Sequence, residues 1–138
     1  MPVEAVLSES YRATAAIVLL TVVGIAFGGT FVLRVVRGGV PSSPLQRAFF
    51  RAGHAHAGVL VTLGLLVALI VDLAVVAEPL ATLADGVLFA AILMPAGFFL
   101  SVLHKDAEKP NGFIALLWLG ASSLTIGVVS AAVGLLRV

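Results

Sequence analysis

Of the 138 residues, 61% are apolar and 11% charged, against ~45–50% and ~25% in an ordinary soluble domain, so water is not the solvent for most of this chain. The formal net charge of +1 leaves no basic face able to neutralise a phosphate backbone, which excludes nucleic acid as a partner. With no cysteine, disulfides, thiolate metal sites and cysteine nucleophiles are excluded together.

A bilayer core about 30 Å thick takes roughly 20 consecutive apolar residues as a helix, and four stretches of about that length separate the charge clusters. Residues 1–12 carry Glu4, Glu9 and a single Arg12, the wrong flank for a secretion signal, so the apolar stretch behind them reads as a retained helix over about 13–33. Gly24 and Gly28 on it form a small-residue pair suited to close packing. The second helix covers about 57–77, with an alternative start near 44. There Ser42-Ser43-Pro44 reads as an N-cap with proline in the first turn. Leu45, Phe49 and Phe50, interleaved with Arg47 and Arg51, suit the headgroup layer. The third helix covers about 86–103 and contains Pro95, which is expected to kink it. On the fourth, about 113–136, Gly120, Ser123, Gly127, Ser130 and Gly134 recur at spacings of three and four. They form one seam for close helix packing, within the chain or between copies.

The connections are short and unevenly charged. Arg34, Arg37, Arg47 and Arg51 lie between the first two helices and His104-Lys105-Asp106-Ala107-Glu108-Lys109 between the last two, whereas the middle turn holds only Glu78 and Asp85. Short basic loops stay in the cytoplasm. The expected fold is therefore a single all-α domain, an integral membrane four-helix bundle of up-down topology with both termini on the non-cytoplasmic side. The inner membrane of a bacterium is the expected location, the basic residues being mostly arginine as in GC-rich genomes.

Each helical residue advances ~100° about the axis, so His54, Gly58, Val61, Leu65, Ala68 and Asp72 share one face of the second helix, expected to look inward. His56 falls opposite, with Leu60, Leu63, Val67 and Ile70, and is expected to face lipid headgroups or a partner chain. On the third helix Gly86, Ala90, Met94, Gly97, Ser101 and His104 form a comparable stripe. His54 and His104 are then expected to approach each other at the cytoplasmic end. Facing histidines in a helix bundle can hold a heme or a divalent transition metal. Arg47 or Arg51 would pair with heme propionates, and His56, Asp106 or Glu108 would complete a metal shell. The plain alternative is that all three histidines are interfacial residues. Asp72 reads either as an intramembrane proton or cation group or as a residue of the outer interface.

Gly53-His54-Ala55-His56-Ala57-Gly58 resembles the His-x-His element of heme-copper oxidase catalytic subunits. There two histidines on one helix point to opposite sides, and the likeness implies separate roles for His54 and His56. It covers six residues of a chain far shorter than that family, so the activity is not carried over. Metalloprotease, phosphate-loop, nucleophile-elbow and carboxylate-dyad signatures are all missing, and no enzyme class follows. The leading expectation is a heme- or metal-binding accessory protein of a membrane redox or assembly system. The alternatives are an oligomeric carrier or channel, with the glycine seam as subunit contact, and a structural subunit of a larger membrane complex without cofactor.

Overall fold

The computed structural model describes residues 6–138. Helix α1 spans Glu9–Val36, α2 Pro44–Leu73, α3 Leu80–Ala84, α4 Gly86–Leu100 and α5 Ala115–Leu135, with a 3-10 turn at Gly112–Ile114 leading into α5. Four helical lengths are long and apolar enough to cross a membrane: α1, α2, Leu80–Leu100 (α3 with α4) and Gly112–Leu135.

Caps explain where these helices begin. The Ser8 hydroxyl accepts from Tyr11 N at 3.0 Å, and Glu9 in the first turn and Arg34 in the last complement the helix dipole. These polar ends carry α1 beyond its apolar stretch. Helix α2 starts at the earlier of its two expected positions because Ser43 and Gln46 close a capping box. Gln46 N donates to Ser43 Oγ at 3.1 Å and Ser43 N donates to Gln46 Oε1 at 2.8 Å, with Pro44 in the first turn. Helix α4 continues past Pro95 but ends at Leu100, short of His104.

Packing follows small residues, as it must where lipid supplies no drive for helix association. The seam on α5 is filled from within the chain. A methyl added at Gly120 would lie 2.5 Å from Met94 Cγ, and one at Gly127 2.6 Å from Val87 N. Ser123 Oγ donates across the same contact to Gly86 O at 2.8 Å. Helix α4 thus occupies the face that the carrier reading assigned to a subunit contact. Helix α2 packs on α4 through Gly53 and Gly64, where added methyls would meet Phe99 and Leu88 at 2.8 and 2.5 Å. Helix α1 packs on α2 and on no other helix. The four lengths thus line up as α1, α2, α4, α5, with α3 against α5 and α1 at an open edge.

This order corrects the expected faces of α2. As an inner member of the row it is covered on both sides. Leu60, expected to face lipid, is buried with Ala90, Ala91 and Met94. The face that carries His54 and Asp72 turns to α1 instead. Gly53 and Gly64 admit α4 on one face of α2, and Gly28 and Gly29 of α1 lie against His54 on the other.

Candidate functional site: the groove beside His54

His54 is half-buried between α1 and α2. Its ring edge rests on two glycines of α1: a methyl added at Gly29 would lie 3.3 Å from Nε2, and one at Gly28 3.9 Å from Nδ1. No hydrogen bond among the described residues engages either nitrogen; of the three imidazoles, that of His56 is the one so engaged. From His54 an open groove of about 630 Å³ runs along α2 beside Ile25 of α1, lined by Gly58, Val59, Thr62, Leu63 and Leu66 among others.

His56 faces the opposite way, as two positions on a helix require, but α4 occupies that side. Its ring lies 4.8 Å from that of Phe98. Nδ1 is 2.8 Å from Ala52 O, and because a carbonyl only accepts, Nδ1 carries the hydrogen. Phe49 and Phe98 pack edge to face at 5.5 Å, and Phe50 bridges Phe31 of α1, at 5.2 Å, and Phe99 of α4, at 5.8 Å. Helices α1, α2 and α4 are thereby joined by aromatic rings at the level of the histidines.

His104 does not join His54. It is exposed in the segment between α4 and α5, and its backbone carbonyl accepts from Gln46 Nε2 at 3.1 Å. The same amide reaches Val102 O at 2.9 Å. Asn111 N donates to Ser101 O at 2.8 Å and Asn111 Nδ2 to Leu100 O at 3.1 Å. These donors take the carbonyls that a longer α4 would have used, so the helix stops and the expected stripe ends before His104. Asp106 and Glu108 are exposed in the same segment, and among the described residues no three His, Asp or Glu converge on a metal site. Arg51 is exposed, and Arg47 donates to Ser42 O at 2.6 Å.

Asp72 lies at the other end of α2, where its carboxylate accepts from Ser8 N at 3.0 Å and ties the start of α1 to the end of α2. Gln46 and Asn111 were not marked by charge or motif. Gln46 had one signal, its place three residues after a Ser cap, while the second role of its amide lies far along the chain. No family model, curated protein or solved structure matches the chain, so the functional reading rests on the geometry of these residues.

Proposed function

We propose that the chain is a small accessory subunit of a redox or assembly system in a bacterial inner membrane, with both termini outside. It meets its cofactor in the α1–α2 groove that His54 lines. The observation that supports this reading is His54 itself, a polar ring without a hydrogen-bond partner in the wall of an otherwise hydrocarbon groove. Its nitrogens are open to the groove and not buried in protein, so a ligand lying there can reach them.

Depth agrees with that role. From Arg51 to Asp72 the helix rises about 31 Å, close to the ~30 Å of a hydrocarbon core. His54 then lies one turn inside the boundary marked by Arg51. Heme requires only one axial imidazole. With His104 in the loop, His54 would be the imidazole that holds a heme, and Gly29 of α1 lies beside its Nε2. A metal with several protein ligands would need the segment after α4 to refold.

The test is to purify the full chain in mild detergent, record visible spectra with and without dithionite, measure metals, and analyse the organic extract by mass spectrometry. The expected result is one small molecule near stoichiometry that is lost in His54→Ala and retained in His104→Ala. A wild-type chain that carries no heme, metal or lipid-soluble redox molecule overturns the proposal, as does equal retention in both variants.

A further inference from the structure

The groove narrows the chemistry of its occupant. Along α2 it runs from His54 to Leu66, about 18 Å of helix. Only the His54 end offers a free side-chain donor, because the Thr62 hydroxyl already donates its hydrogen to Gly58 O at 2.9 Å. No Lys, Arg, Asp or Glu lines it, and its volume of about 630 Å³ falls within the range of small-molecule sites.

Gly58, one turn below His54, sharpens the picture. A methyl added there meets nothing within 4 Å, whereas at Gly53 and Gly64 on the same helix it would strike α4. Those two glycines make room for a neighbouring helix. At Gly58 the space is open, and it lies within the groove.

Resting on the reading that His54 meets the ligand, we propose that the groove binds a membrane-dissolved isoprenoid quinone. One carbonyl of the flat ring accepts from His54, the ring lies over Gly58, and the isoprenoid chain follows Val59, Thr62 and Leu66. An imidazole carries at least one N–H in either protonation state, so a donor to the carbonyl is always present. A negatively charged group lying within the groove would meet no cation in the lining, since Arg51 stands one turn outside it at the boundary. An uncharged carbonyl head fits that lining.

The experiment titrates the full chain in lipid nanodiscs with decylubiquinone and measures the bound fraction after removal of free quinone. Saturable binding near one per chain is expected. Gly58→Phe fills the hollow and should abolish it, with circular dichroism melts to establish that the variant is folded. His54→Ala should weaken binding about tenfold, equivalent to about 1.4 kcal/mol for one lost hydrogen bond. His54→Gln, which restores a donor, should recover part of that loss, and Ile126→Phe on the exposed face of α5 should change nothing. No saturable binding, or binding unaffected by both Gly58→Phe and His54→Ala, overturns the proposal. A chain that carries heme or a metal at His54 and ignores quinone overturns it while the redox reading stands; a chain that binds no heme, metal or lipid-soluble redox molecule ends both.

Discussion

Gln46 is an amide only 7% exposed in a chain built mostly of hydrocarbon. It donates to Val102 O and His104 O and accepts from Ser43 N, so one side chain starts α2 and fastens the segment that follows α4. Gln46→Leu should cost about 1–3 kcal/mol, because two carbonyls lose their donor. Gln46→Glu should cost a similar amount, keeping the capping acceptor but neither N–H. Arg47→Ala, at an exposed neighbour, should stay within about 0.5 kcal/mol. Unfolding in mixed micelles followed by circular dichroism measures all three, and faster hydrogen exchange over residues 101–111 in the two Gln46 variants would locate the loss. Ser43 and Pro44 made this helix start readable in the sequence. The partner carbonyls, 56 and 58 positions further on, were not readable, because no local pattern marks a contact that only the tertiary fold creates.

At the scale of elements, glycines sort by what stands opposite them. Gly127→Ala should destabilise by about 1–3 kcal/mol, since its methyl would overlap the backbone of Val87 and push α4 and α5 apart. Gly24→Ala, where a methyl meets nothing within 4 Å, should be neutral or stabilise by up to about 1 kcal/mol from helix propensity alone. The same unfolding measurement separates them, and equal effects would contradict the assigned seam. Spacings of three and four made the α5 face legible. They did not reveal that its partner is α4, because small residues define a surface and not its occupant. The edge helix α1 has a polar tie at Asp72. Asp72→Leu should raise hydrogen exchange at the start of α1 and leave α4 and α5 unchanged, while Asp72→Asn, which still accepts from Ser8 N, should behave like the wild type. A need for the charge itself would appear as a defect in Asp72→Asn.

Across the whole molecule, the number of spans and the unequal charge of their loops were plain in the sequence, whereas the order in which the helices pack was not. Four lengths this uniformly apolar carry little to distinguish a closed ring from a row, and the choice fell to Gly53 and Gly64 of α2 against α4 and to Gly28 and Gly29 of α1 against α2. The same uniformity hid the histidine geometry. His54 and His104 lie on comparable stripes, yet capping by Gln46 and Asn111 ends α4 one turn too early to bring them together. The structure does bring the two basic loops to one end, where Ser43 Oγ donates to Ala107 O. Arg34, Arg37, Arg47, Arg51, Lys105 and Lys109 gather there, six of the eight basic residues, while Glu9, Asp72, Glu78 and Asp85 belong to the opposite end. The charge asymmetry supports the proposed orientation, with the basic end in the cytoplasm. Because the chain has no cysteine, a single one introduced at an exposed position reports its own side of the membrane. Ser10→Cys, next to the start of α1, should react with a membrane-impermeant maleimide in intact cells, and Lys105→Cys should react only after permeabilisation. The reverse pattern would invert the topology and put the His54 end of the groove on the outer face, where a ligand would enter from the opposite leaflet.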